Sequence, residues 1–332
     1  MSDTSISTGG VLPATAPTET GAPGGRPSPV ARLLKRVPPL RRWRWGFVLS
    51  VAYLVVLTFL AVFANWLPFV RRYNELPKGA AARKLVGYRG KPSSDYWFGS
   101  DQLGRDVFAR CIYAAQKTIV IGMASILAAI IIGGLLGMLA GYYRGWYDRV
   151  LSVIFDVLLA FPAIVLALII VGRFFDSGEL SLGLFTMDKR FFGVILVLTL
   201  LSVAPLARIV RAQTLSLSQR EYVLAARGLG ASSWRILIRE ILPNLLPAMF
   251  SVAFTGLALL LVAEGGLAFL GFSVQLPFPT WGFMINEARQ DLTKGGGWAV
   301  FFPCALLFLT VFAFNIIGDR VARRFDIREA TL

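Results

Sequence analysis

"EYVLAARGLGASSW", residues 221–234, decides how this chain is read. It separates two long apolar runs with small residues, two glycines and a pair of serines. Placed on a helix, Tyr222, Ala225, Ala226 and Leu229 follow an i, i+3, i+4, i+7 spacing and form one narrow apolar stripe. Arg220, Glu221 and Arg227 lie off it. Gly228 and Gly230 can end that helix in a left-handed conformation, and Ser232 or Ser233 can cap the start of the next. The expected result is helix, sharp turn, helix. In the second helix Trp234, Ile238, Ile241, Leu242 and Leu245 keep helical spacing and run straight into the following apolar run, where Pro243 and Pro247 mark a bend.

What surrounds this stretch is set by composition. Of 332 residues, 56% are hydrophobic and 16% charged, and the mean hydropathy is +0.64. That is too apolar for a soluble domain of this length, so the solvent for most of the chain is lipid. The net charge of +15 does not point to nucleic acid, because Lys and Arg lie between and beside the apolar runs rather than on one face. Histidine is absent, which excludes His-dependent triads and HExxH zinc sites. Cys111 and Cys304 are far apart and read as two unpaired thiols rather than a disulfide framework or metal cluster. No catalytic, cofactor or metal residue is expected.

A helix crossing about 30 Å of hydrocarbon needs roughly 20 apolar residues. Six runs qualify: Gly46 to Leu67, Thr118 to Tyr143, Val150 to Gly172, Phe191 to Val210, Leu245 to Leu270, and Trp298 to Gly318. The expected organisation is a disordered, basic-ended tail over 1–40, a first and uncleaved transmembrane helix over 41–67, and an outer loop over 68–117. A core domain over 118–326 and a short tail over 327–332 complete it. Six crossings put both termini on one side. The positive-inside rule places Arg41, Arg42, Arg44, Arg144, Arg149, the run from Arg211 to Arg239, Arg320, Arg323 and Arg324 in the cytoplasm; the basic loop over 68–117 is the exception, near the length where the rule stops counting.

The second run carries Gly133, Gly134, Gly137 and Gly141, a small-xxx-small pattern that lets helix backbones approach. Pro162 is expected to bend the third. Formal charge inside the runs is confined to Asp156, Arg208 and Glu264. Arg208 is close enough to its end to snorkel. Asp156 and Glu264 are costly in lipid and so face the bundle interior or water. Asp156 is expected to pair with Arg149 or touch a solute; Glu264, near the outer end, is a candidate for a solute's amino group or for a structural pair. The Asp101 to Arg110 segment reads either as a docking surface for an outer partner or as a self-paired solvated surface. The 221–234 segment likewise has two readings: a handle by which a partner moves the spans, or an amphipathic loop on lipid whose arginines suit anionic headgroups.

A resemblance separates these. The segment resembles the EAA loop in the membrane subunits of bacterial ABC importers: Glu-Ala-Ala, three residues, Gly, nine residues, Ile, any residue, Leu-Pro. It matches at Ala225, Ala226, Gly230, Leu242 and Pro243. It departs at Leu224, where that family has Glu, and at Glu240, where it has Ile. Glu221, one turn before Leu224, is the nearest acidic residue. "FGSDQLGRDVFARCIYAAQKTI", "DVLLAFPAIVLAL", "AEGGLAFLGFSVQLPFPTWGFMI" and "FNIIGDRVARRFD" extend the likeness over roughly Tyr96 to Asp326, in the order found in the second permease subunit of dipeptide, oligopeptide and nickel importers.

The resemblance implies an all-α membrane protein with six transmembrane helices and a cytoplasmic coupling helix between the fourth and fifth. That helix, with Glu221, Tyr222, Leu224, Ala225, Ala226, Gly228 and Gly230, would dock on a cytosolic ATPase subunit. The implied partners are a homologous permease forming a heterodimer, two ABC ATPase subunits, an extracytoplasmic solute-binding protein and the bilayer of the bacterial inner membrane. No GxxxxGK[ST] sequence occurs, so ATP and Mg would be bound by the partners and this chain would not be an enzyme. Peptides are the expected solute. Nickel chelates, glutathione-like molecules and a passive channel are the alternatives.

Overall fold

A computed structural model describes residues 41–76, 89–175, 178–182, 185–274 and 278–329. The tail expected over 1–40 lies outside them. The chain divides into Met1–Trp43 and a compact unit, Arg44–Leu332, and the packing below is that of the second. Its long helices are α1 (Arg41–Phe63, entering from the first unit), α2 (Val107–Tyr143), α3 (Gly145–Ala160), α4 (Ala163–Phe174) and α5 (Lys189–Leu217). A hairpin of β1 (Glu179–Leu182) and β2 (Phe185–Asp188) precedes α5, with Glu179 opposite Asp188 and Leu182 opposite Phe185. Then come α6 (Glu221–Gly228), α7 (Ser233–Arg235), a π-helical turn (Ile236–Ile241), α8 (Leu242–Phe269), α9 (Trp281–Glu287) and α10 (Trp298–Glu329). Apart from that hairpin and an isolated bridge between Ser100 and Asp106, the described residues are helical or loop.

Among the described residues five helices are long and apolar enough to cross a bilayer, and α3 with α4, bent by 86° at the break between them, makes six if the pair is one span. The break falls at Phe161, which is extended (φ −79°, ψ 133°); the ring of Pro162 disfavours helical conformation in the residue before it. α1 stops at Phe63 rather than Leu67. α2 starts at Val107 rather than Thr118, so the loop expected over 68–117 ends at Asp106. Arg110 and Lys117 interrupt the apolar count without interrupting the helix, which Asp106 caps by accepting from the N–H of Phe108 at 2.9 Å and of Ala109 at 3.4 Å. α10 remains helical to Glu329, past the tail boundary expected at 327.

The tightest seam joins α2 to α5. A Cβ on Gly133 would lie 2.9 Å from the carbonyl oxygen of Val203, one on Gly137 would lie 2.4 Å from that of Ala207, and one on Gly141 would lie 2.7 Å from that of Arg211. Three small residues on one stripe of α2 thus meet three backbone carbonyls on one stripe of α5, at the same i, i+4 interval. Backbones this close gain dispersion and Cα–H···O contacts that larger residues would forbid. Gly134 is off the seam and faces the flexible end of Met249.

The main core gathers Ile121, Leu198, Val171, Leu257 and Leu261 from α2, α4, α5 and α8. A second cluster sits at the α9 end, around Trp281, whose indole N–H donates to the Cys111 carbonyl at 3.0 Å. A third sits at the opposite, α6 end.

Gly137→Val should destabilise the folded chain by about 2 kcal/mol through overpacking. Gly266→Ala, where a Cβ meets nothing within 4 Å, should be near neutral. Thermal unfolding of the two purified variants measures the difference, and equal melting would refute the seam.

Candidate functional site

The helix–turn–helix is built locally. Glu221 lies in the first turn of α6 and Arg227 in the last, each sign placed to suit the helix dipole. Gly230 alone takes the left-handed conformation, φ +82°, and Gly228 stays helical. The terminal carbonyls are used by Leu229 N–H to Ala225 at 2.9 Å and Ala231 N–H to Ala226 at 3.0 Å. This hydrogen-bonded ending depends on a residue that tolerates positive φ. Ser232, rather than Ser233, caps the next helix by accepting from Arg235 N–H at 3.4 Å.

α6 has two unlike faces. Val223 is fully buried and Ala226 half-buried, packed among Met138, Leu206, Ile236, Leu237 and Leu245. Arg227 extends over the ring of Tyr142 at 5.5 Å. Glu221, Tyr222, Leu224, Ala225, Gly228 and Leu229 are exposed, Leu229 to 89%. Of the expected stripe, only Ala226 turns inward, and the anchor is Val223, which the spacing argument passed over. The pair Val223/Ala226 at i, i+3 is also an apolar match, but its stripe is too short to outscore the longer one. Tyr222 accepts a 3.3 Å hydrogen bond from Asn244. Partial burial pushes its phenol pKa up, opposed by nearby Arg220 and by the Asn244 bond, with Glu240 adding to the rise.

From Ser233 the chain runs to Phe269 as one span of 37 residues. At Pro243, where a bend is expected, the helix continues without a break and carries a π turn just before the proline. Leu242 N–H bonds to the Leu237 carbonyl, and the wider turn carries the helix across a proline that has no N–H of its own. Leu224 presents an apolar side chain on the exposed face where an acidic one is expected, and Glu240 is half-buried.

The charged residues of the spans are paired differently from expectation. Asp156 accepts from the guanidinium of Arg208, not Arg149, and both side chains are exposed, 65% and 50%. Arg208 therefore reaches sideways to α3 instead of along its helix towards the surface. Asp148 accepts two bonds from Arg211, the second at 2.7 Å. Glu264 is 1% exposed and accepts from Ser273 Oγ at 2.7 Å. It is enclosed within the chain rather than lining an open route, and it ties the turn after α8 back onto that helix.

At the α9 end, Asp101, Arg105, Arg110 and Glu287 form a closed ring of ion pairs. Asp101 Oδ2 accepts from Arg105 at 2.7 Å and Arg110 at 2.5 Å; Glu287 accepts from the same two at 2.5 and 2.7 Å. Asp101, Arg105 and Arg110 are buried. The charges of the ring are thus paired partly within the 101–110 segment and partly with Glu287, inside the fold rather than on a solvated surface, and Asp101, Arg105 and Arg110 are not free to meet an outer partner.

The sequence profile of the binding-protein-dependent transport system inner membrane components matches residues 133–328. The chain belongs to this family. It is a multi-pass permease subunit of an ABC importer. The permease is 36% identical over 286 residues to the glutathione transport system permease protein GsiD of Pectobacterium atrosepticum, covering 86% of this chain and 89% of that one. It is 32% identical over 290 residues to the dipeptide transport system permease protein DppC of Alkalihalophilus pseudofirmus, with the same coverage. It is also 34% identical over 281 residues to DppC of Bacillus subtilis, covering 84% and 81%. Among solved structures, a chain of the inward-facing MetNI methionine ABC transporter shares the fold at TM-score 0.51 and 18% identity, over 66% of the permease and 97% of that chain. These relatives are transport permeases rather than enzymes.

Sequence reasoning missed two structural parts of the permease: Val223 and the ion-pair ring. The ring was legible only as alternating charge, because Glu287 lies far along the chain from Asp101 and nothing local announces that they meet. Arg110→Met leaves buried Asp101 and half-buried Glu287 each short of a partner. It should cost about 3–5 kcal/mol, read as a lowered melting temperature of the purified permease; a loss below about 1 kcal/mol would show that the ring is dispensable.

Proposed function

We propose that this permease and a homologous partner permease form the translocation pathway of an ATP-driven importer for peptides. Two cytosolic ATPase subunits would hold ATP and Mg and grip α6. A solute-binding protein would deliver the solute to the α9 end. In this reading the α6 end and both termini are cytoplasmic, which agrees with the arginines from Arg211 to Arg239.

The observation that carries the reading is the two-faced α6. An exposed face of Tyr222, Ala225, Gly228 and Leu229 is backed by a buried anchor at Val223 and joined to a membrane-spanning helix without a break at Pro243. Small side chains allow close approach of a groove, and the continuous helix transmits its displacement to the bundle. Two access states then differ in stability according to whether the ATPases are closed. A passive channel has no use for such a face. Peptides come first as solute because two of the relatives described above are dipeptide permeases; glutathione-like molecules are the second reading, on the relative named for glutathione.

The assembled complex in liposomes should take up peptide only with ATP and binding protein, and nucleotide-independent flux through this permease would favour the channel. Gly230→Trp places a bulky side chain at φ +82° and should lower uptake at least about tenfold, in the range of a lost coupling contact, while the chain still inserts. Normal uptake by that variant would remove the lever.

A further inference from the structure

Asp156 and Arg208 stand out among the charges of the spans because they are paired and yet open. The neighbouring pair, Asp148 with Arg211, is two-pronged, less exposed, and braced by Ser152. Asp156 has one ion-pair contact, from one nitrogen of Arg208. An exposed single-contact pair is weakly held in water, and in lipid both partners would be costly. The face that carries them therefore meets water or polar groups.

Beside the pair lies an open apolar cleft of about 250 Å³ between α4, α5 and α8, lined by Ala163, Leu201, Pro205, Ile209, Gly256 and Leu259 among others. On α5, Leu201, Pro205 and Arg208 follow i, i+4, i+7 and share one stripe. Arg208 follows Pro205 on that stripe towards the α6 end, and Asp156 on α3 is paired with it. Leu259 and Ile209 present exposed apolar side chains into the same space. The slot is apolar, and the ion pair lies about one helical turn beyond Pro205 on α5 rather than in its lining.

We propose that Asp156 and Arg208 form a binding site for zwitterionic solutes beside this cleft. The mutual ion pair is exchanged for two others: Arg208 with the solute's carboxylate and Asp156 with its ammonium. Each charge on either side keeps a partner during the exchange, so a doubly charged solute crosses this level without leaving a bare charge behind. The cleft takes the uncharged middle of the solute without selecting its side chains. Arg208 is the new element; its fork of donors is suited to a carboxylate. The inference rests on the reading of this chain as a peptide-class permease.

The test uses the full complex in liposomes and three probes: dialanine, its C-terminal amide and its N-acetyl derivative. Arg208→Gln should cut ATP-driven dialanine uptake about tenfold while changing uptake of the amide less than about threefold. Asp156→Asn should likewise cut dialanine and spare the N-acetyl form. Each variant is compared with wild type for the same probe, so the preference of the binding protein cancels. Equal losses for all three probes would mean that the pair only braces α3 against α5, and no loss would mean that solute does not meet it; either overturns the site. Leu259→Cys with Cys304→Ala leaves Cys111, which is buried, as the other thiol. That chain in the assembled complex should react with a hydrophilic thiol reagent; no reaction in any nucleotide state would place lipid or the second permease over the cleft and also overturn it. A wild-type complex that takes up none of the three probes fails the peptide reading instead, and the labelling then decides the cleft on its own.

Discussion

The contact of α2 with α5 through glycine is the constraint on which the rest of the permease hangs. Gly133, Gly137 and Gly141 bring one backbone against the carbonyls of Val203, Ala207 and Arg211. Lipid supplies no hydrophobic drive between helices, so close packing of this kind has to hold them. The seam reaches the last turns of both helices, where Arg144, in a left-handed conformation at φ 54°, turns the chain into α3 and donates to Ser218 at 3.3 Å. α5 therefore delivers α6 from a fixed position, and Met138 and Tyr142 at the end of α2 lie under it.

Charge is handled in three ways, and the differences follow from burial. In the ring of Asp101, Arg105, Arg110 and Glu287 all but Glu287 are buried, and each carboxylate meets both arginines. Such a ring returns little net stability over an apolar core of the same shape, but breaking it is costly, so it fixes register more than it adds strength. Here it locks the loop before α2 onto α9. Arg89 adds a further bond to Asp291 at 2.6 Å from the same loop region. Glu264 is buried with a hydroxyl for company, which constrains the turn after α8. Asp156 and Arg208 are neither buried nor braced, and that openness is what separates them from the structural charges.

Much of this was legible in sequence because lipid imposes strong patterns. The apolar runs, the glycine stripe of α2, the break at Pro162 and the turn at Gly230 all follow from residue type and spacing. Errors collect where a residue's neighbours come from far along the chain. Arg208 was read as reaching the surface, because snorkelling is decided by distance from the helix end; in the fold Asp156 of α3 is closer. Glu264 was read as a contact for solute or as a structural pair, because an isolated carboxylate in a span allows both; in the fold Ser273 donates to it. The spacing argument singled out Tyr222, Ala225, Ala226 and Leu229 but passed over the anchor, because the two residues at Val223 and Ala226 make a short match, yet suffice to hold a helix of eight residues. The hairpin before α5 escaped because its strands are four residues each, too short for an alternation to register.

The shortness of that anchor bears on the proposed coupling. A helix held by a long apolar stripe would bury the face that a partner needs, and a helix held by nothing would fold only when the partner arrived and would transmit no force. Val223 with Ala226 is an intermediate solution: α6 keeps its place on the bundle, and its small outward residues remain accessible. The π turn completes the arrangement, since the helix that begins at Ser233 passes the proline at Pro243 without a break. Widening one turn keeps the hydrogen-bond ladder running, through Leu242 N–H to the Leu237 carbonyl. Under that coupling, a displacement of α6 reaches the span that walls the α4–α5–α8 cleft through a stiff element. The same helix then links the surface where work enters to the place where solute passes.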